Sequence, residues 1–162
     1  NAYVSFCAKI FGAAFAKVGW DTKEGDSDNE KKLRSTLIGS VAKYCYKDAA
    51  VAAEAKKRFQ AFIAAPNDSS VLSADIRGAV LSIVMKAEGT DAVFDQLVAA
   101  HDIVTDGAVK INIYAAIGDA PTLALKKRAL DWTLSENVRS QDLIYIPASM
   151  AVGGREGAEA VF

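Results

Sequence analysis

The stretch LSADIRGAVLSIVMKAEGTDAVFDQLVAAH, residues 72–101, decides the fold. Ser73 is a helix-opening residue, and Ile76, Val80, Ile83, Val84 and Ala87 follow it at the spacings of one helical face. Gly89-Thr90-Asp91 stops that helix and opens another, whose apolar positions are Val93, Phe94, Leu97 and Val98, running on to His101. A joint this short makes the two helices antiparallel neighbours.

The same grammar extends in both directions. Val4 to Val18 reads as a helix with Phe6, Ile10, Phe11, Phe15 and Val18 on one stripe. Residues 19–26 are turn-rich, and Ser27 with Glu30 forms a capping box for a helix carrying Leu33, Leu37, Ile38, Val41 and Tyr44. Asp48 opens a third, with Val51, Ala55, Phe59, Phe62 and Ile63 inward and Pro66-Asn67-Asp68 as its stop. Beyond the decisive stretch, Thr105 or Asp106 opens a helix bearing Val109, Ile113, Ala116 and Ile117, which Gly118 ends. Pro121 is placed at the first position of a seventh helix with Leu123, Leu130 and Leu134 inward. Ser140 is expected to cap an eighth containing Leu143, Ile146 and Met150, which Pro147 should kink or shorten. Gly153-Gly154 ends it, and a last apolar run covers Gly157 to Phe162.

The openings at Ser73, Thr105 and Ser140 lie 32 and 35 residues apart. That period fits stacked helix pairs, each burying its apolar face on the next. The tetratricopeptide and ankyrin signatures are absent, leaving an irregular HEAT-like array or a plain bundle. The β-branched run Val109 to Tyr114 is outvoted by helix signals on both sides. The expected fold is all-α: antiparallel pairs stacked as a HEAT- or armadillo-like, right-handed superhelical array over residues 1–162.

Composition agrees. The 162 residues are 51% hydrophobic, enough for one domain with a sizeable core, and 11 glycines plus 3 prolines make only 14 helix breakers. A net charge of -1 makes nucleic acid a poor partner, and no run of about 18 apolar residues offers a membrane span. The apolar start lacks a basic leader and is interrupted by Lys9 and Lys17, so a signal peptide is not expected. The chain does not begin with Met and ends in an apolar run, so a fragment continuing at both ends is expected.

Residues of chemistry are scarce. One histidine, His101, and two cysteines, Cys7 and Cys45, cannot build a four-ligand zinc site or a disulfide framework. No phosphate-cradling glycine motif occurs. His101 reads as a helix-rim residue, and neither cysteine has a basic setting that would activate it. Asn67-Asp68-Ser69 is a glycosylation sequon in a surface loop, and its modification is not expected. Two polar clusters stand out, Leu72 to Arg77 and Asn137 to Asp142. Their first reading is architectural: Ser73 and Ser140 cap, Asp75 and Asp142 favour the positive helix end, and Arg77 and Arg139 tie neighbouring repeats. The functional reading has them hold a peptide or carboxylate from helix starts facing a cavity.

At these clusters the chain resembles the C-terminal helical domain of the zinc metallo-aminopeptidases of the puromycin-sensitive type. The likeness rests on Val18-Gly19-Trp20-Asp21, on Ala55 to Phe59, on Leu72 to Arg77, on Leu134 to Asp142 and on Ala151 to Gly154, in order over residues 18 to 155. It departs at Ser140, where the family usually has proline, and at Val161, just before Phe162, where the family tends to have tryptophan. The resemblance implies that catalysis and zinc belong to an upstream thermolysin-like domain. This array then forms a bowl over that active site and controls substrate access. No catalytic or metal residue falls on this chain. Arg77, Arg139, Gln141 and Asp142 match the family pattern and are the candidate peptide contacts. The implied partners are the remaining domains of the parent enzyme and a peptide substrate, in the cytoplasm. The alternative is a free-standing helical-repeat scaffold that binds a partner protein on its concave face.

Overall fold

The computed structural model describes residues 2–161, so Phe162 and the end of the expected last run lie outside the described residues. Six of the helices begin where a short polar side chain satisfies backbone N–H groups that have no partner inside the helix. After α1 (Ala2–Val18), Ser27 opens α2 (Asp28–Tyr44) with a complete capping box: the Glu30 N–H donates to its Oγ at 3.3 Å, and its own N–H donates to Glu30 Oε2 at 2.8 Å. Asp48 accepts two N–H bonds of 3.0 Å at the start of α3 (Ala49–Ala64). Ser73, Thr90 and Asp106 cap α4 (Ala74–Glu88), α5 (Asp91–Ile103) and α6 (Gly107–Gly118).

The seventh and eighth helices start differently from the sequence reading. Thr122 caps α7 (Leu123–Thr133), leaving Pro121 just outside the helix. The Pro121 ring packs over Gly89, which ends α4 at φ 49°; a Cβ there would lie 2.2 Å from Pro121 Cγ, so both the backbone angle and the space demand glycine. Ser140 caps no long helix. It begins a short 3-10 turn, Ser140–Asp142, and α8 (Tyr145–Val152) starts only after it. Pro147 is the reason. In the first turn of α8 its missing N–H costs nothing, whereas in a helix running from Ser140 it would break a backbone bond. After Gly154, at φ 127°, α9 (Arg155–Val161) closes the described chain.

The helices form two layers. α2, α4, α6 and α8 lie side by side, and α1, α3, α5 and α7 each pack on the even-numbered helix that follows. Bonds between neighbouring repeats keep a similar separation. Arg58 to Asp21, Asn67 to the Ile103 carbonyl, Ser82 to Asp119, Arg128 to Asp91 and Ser149 to the Ala115 carbonyl join residues 34 to 37 apart, and Ser35 to the Asp75 carbonyl joins residues 40 apart. This matches the period of helix openings and identifies a stacked array, since a plain bundle has no reason to repeat one separation.

Position in the stack decides burial. α4 has α2, α3, α5 and α6 around it and buries seven residues, from Ile76 to Met85. α6 is likewise enclosed, which is why its β-branched, almost wholly apolar sequence is helical. α1, at one end, buries only Cys7 and Phe15 and leaves Tyr3 and Phe6 each 62% exposed beside Ile10 and Val4. Phe6 and Ile10 thus leave the expected buried stripe. At the other end Leu134, Ile144 and Val152 are exposed. Leu134, expected inward on the seventh helix, is instead 80% exposed at its C-terminal cap.

Candidate functional site

Two sets of buried polar groups interrupt the apolar interior. The first lies between α5, α6, α7 and the 3-10 turn. His101, expected at a helix rim, is 2% exposed. Its Nε2 meets the Tyr114 hydroxyl at 2.8 Å, and its Nδ1 meets Asp102 Oδ1 at 3.2 Å. Trp132 packs edge-on to the imidazole with ring centres 5.1 Å apart, and Tyr145 stacks on Tyr114. Burial holds the imidazole pKa below its ordinary value, against the opposing pull of Asp102, and burial pushes the Tyr114 hydroxyl upward. Both groups are therefore neutral at pH 7. The ring is a satisfied core residue, and Cys45 is far from it in the stack, bonded to α1, with its thiol pKa raised by burial.

The candidate peptide contacts divide here. Arg139 Nε donates to Asp142 Oδ2 at 2.7 Å, with the Asp142 side chain 5% exposed and that of Arg139 58%. This pair braces the 3-10 turn beside Tyr114, and the Asp142 carboxylate is what lifts the Arg139 pKa. Gln141 is exposed on the same turn. Arg77 is buried at the start of α4, where Nη2 donates to the Leu72 carbonyl at 3.0 Å and ties down the preceding loop. The structure thus brings Arg139 and Asp142 together and gives Arg77 a separate, local bond.

The second set was hidden in α2. Arg34 is 4% exposed, and its Nη2 donates to Asp26 Oδ2 at 2.6 Å. The sequence reading placed Leu33 on the inner stripe, yet Leu33 is half exposed. Leu37, Ile38 and Val41 face inward as expected, and Arg34 rather than Leu33 joins them. Those four also keep spacings of three and four, the one signal that could have revealed Arg34. The Asp26 backbone and side chain explain the choice: the carboxylate also accepts from the Lys23 N–H at 2.7 Å, so the loop between α1 and α2 folds over the guanidinium.

Among the described residues no three or more His, Cys, Asp or Glu side chains converge as metal ligands, and no helix is long and apolar enough to cross a membrane. Asn67 of the sequon is engaged through both ends of its amide: Nδ2 donates to the Ile103 carbonyl at 3.2 Å, and Oδ1 accepts from the Thr105 N–H at 3.3 Å.

Comparison with known proteins adds what the geometry lacks. The profile of the family described as "ERAP1-like C-terminal domain" matches residues 1–162. The chain is 28% identical over 155 residues to Aminopeptidase M1 of Arabidopsis thaliana, covering 94% of this chain and 17% of that protein. It is 29% identical over 150 residues to Aminopeptidase M1-B of Oryza sativa subsp. japonica, covering 91% and 17%. It is 29% identical over 129 residues to Aminopeptidase N of Lactobacillus helveticus, covering 79% and 15%. The chain therefore spans about a sixth of the length of these relatives.

Proposed function

Because the chain belongs to the ERAP1-like C-terminal domain family, we propose that it is the non-catalytic C-terminal domain of a zinc metallo-aminopeptidase of the puromycin-sensitive type. The parent enzyme removes N-terminal residues from peptides. The reading is carried by one observation: relatives named aminopeptidases align along most of this chain, while it spans only about a sixth of each.

The division of labour follows. Zinc is held by the rest of the parent, because the single histidine here is buried and already bonded to Tyr114. The layer of α2, α4, α6 and α8 faces the active-site space and limits which peptides enter. The exposed apolar residues of α1 support this reading, since Tyr3, Phe6 and Ile10 suit burial against another part of a larger enzyme better than contact with water. Arg139 and Gln141 are the candidate contacts with side chains that a peptide can reach; Asp142 supports Arg139 from within, and Arg77, itself buried, holds the loop before α4. A cytoplasmic location belongs to the same proposal.

The test is an aminopeptidase assay on fluorogenic amino-acid amides, with zinc by elemental analysis, on the parent enzyme and on the 162-residue chain. Zinc and turnover in the parent alone support the proposal. Turnover or stoichiometric zinc in the isolated chain refutes the division of labour, and an inactive, zinc-free parent refutes the aminopeptidase reading. Access control has its own readout. Ser40→Trp on the even-numbered layer should lower kcat/KM for long peptides in the parent while leaving single amino-acid amides unchanged.

A further inference from the structure

α1 has two faces. One packs on α2, with Cys7 and Phe15 buried and Phe11 and Val18 partly so. The other carries Tyr3, Phe6, Ile10, Ala13 and Lys17, all exposed, at successive spacings of three, four, three and four. That alternation is the seam of a helix packed on a second helix at a shallow angle of about 20°. It runs about 21 Å along the helix axis. The Tyr3 ring rests edge-on against Tyr44, with ring centres 6.2 Å apart, so one end of the seam is already fixed in place. The exposed faces of α3 and α5 differ: Lys56, Lys57 and Gln60 stand on one, and Asp91, Asp95 and Asp102 on the other. An apolar outer face is therefore peculiar to α1 among these three helices of its layer.

Charge decides what covers the seam. α1 contains no acidic residue. Lys9 borders the seam and Lys17 ends it; both are exposed, and neither is in an ion pair among the described residues. A second copy of the chain is a poor cover. Antiparallel pairing centred on Ile10 sets Lys9 against its counterpart, and parallel pairing sets Lys17 against its counterpart. Like charges held that close oppose association, so pairing between copies is weak. A helix with the same apolar spacing and with carboxylates opposite Lys9 and Lys17 satisfies the seam and the charges together. A longer parent has room for it, since the chain spans about a sixth of its aminopeptidase relatives.

We propose that the outward seam of α1 docks one acidic-edged amphipathic helix from another part of the parent enzyme, with carboxylates paired to Lys9 and Lys17. The proposal rests on the parent-enzyme reading above.

The experiment is carbodiimide crosslinking of the purified full-length parent, read by peptide mass spectrometry. This zero-length reagent joins a lysine Nζ to a carboxylate only where the two touch. Lys9, Lys17 or both should be linked to Asp or Glu residues of the same polypeptide outside these 162 residues. A mixture of unlabelled and heavy-nitrogen parent should give links of unmixed isotope. Lys9→Arg with Lys17→Arg should remove the links and keep the activity, because a guanidinium keeps the charge and does not react. Independently, Phe6→Glu with Ile10→Glu should lower the Tm of the parent by about 5 °C or more, with no comparable change in the isolated chain. Links between copies only, links confined to the 162 residues, absence of any link from either lysine, or an unchanged parent Tm each overturn the proposal. Activity and zinc in the same sample keep the two failures apart. An active, zinc-bearing parent with any of these results overturns the docking alone, whereas an inactive, zinc-free parent overturns the aminopeptidase reading.

Discussion

The buried imidazole makes stability depend on pH around the ordinary histidine pKa of about 6.5. His101 is the only histidine, and the carboxylates of Asp21, Asp26, Glu30 and Asp68 are held below the ordinary carboxylate range by their partners. Burial depresses the His101 pKa, and Lys110 pushes the same way; Asp102 and Asp142 oppose them and lose. The neutral ring also suits its bonds: Nδ1–H donates to Asp102, and the Tyr114 hydroxyl donates to Nε2. The folded pKa is therefore below the unfolded one, and the unfolded chain binds more protons between the two. Stability is intact above the unfolded pKa of about 6.5 and falls as pH drops through it.

The size follows directly. At about pH 5.5 the unfolded state gains RT ln(1 + 10), about 1.4 kcal/mol, by protonating its imidazole, and any protonation of the folded ring returns part of this, so about 1.4 kcal/mol is the ceiling on the loss relative to about pH 7.5. The assay is urea unfolding followed by far-UV circular dichroism, because His101 protonation would itself quench the adjacent Trp132. His101→Gln keeps a polar group beside Tyr114 and should give a flat profile over the same range. A flat wild-type profile would refute the dominance of burial. Greater stability at the lower pH would show that the Asp102 pair wins and that the imidazole is charged in the fold.

Phe59, fully buried between α3 and its neighbours, should cost about 3–5 kcal/mol when cut to alanine, read from the urea midpoint. Two helix glycines should respond oppositely to alanine. Gly39 has no atom within 4 Å of a new Cβ, so Gly39→Ala should stabilise by about 0.5–1 kcal/mol. A Cβ on Gly118 would lie 2.5 Å from Ser149 Cβ and 2.9 Å from the Ile146 carbonyl, so Gly118→Ala should cost about 1–3 kcal/mol and lower Tm. Phe6→Glu with Ile10→Glu should change the stability of the isolated chain by no more than about 0.5 kcal/mol, and should reduce its self-association in sedimentation velocity.

The sequence made the helices and their order legible because caps and stops are local: Ser27, Asp48, Ser73, Thr90 and Asp106 each act within three residues. The repeat was legible for the same reason, since cap spacing survives as the separation of bonded residues. The failures have a different origin. Whether Leu33 or Arg34 faces inward depends on Asp26 in the preceding loop. Whether His101 lies at a rim or in the core depends on Tyr114 and Trp132, on two other helices. Ser140 looked like a cap because its local grammar is right, and Pro147 seven residues on set the true start of α8. The candidate contacts were legible as helix-start chemistry, but their division was not: Arg77 and Asp142 are buried by neighbours that no local window contains.

α1 and α6 bring out what the array adds to local pattern. Both are strongly apolar helices, and neither carries an acidic residue in its first turn. α6 is enclosed by α4, α5, α7 and α8 and buries half of its residues, whereas α1 packs on α2 and buries two. Composition therefore cannot distinguish an interior helix from an end helix in a stack; only the number of neighbours does. An apolar helix with neighbours on every side needs no further partner. One with a single neighbour keeps Tyr3, Phe6 and Ile10 in water, at a cost that covering them would remove. In a chain that spans a sixth of its aminopeptidase relatives, that face is where the proposed parent enzyme has the most to gain by packing.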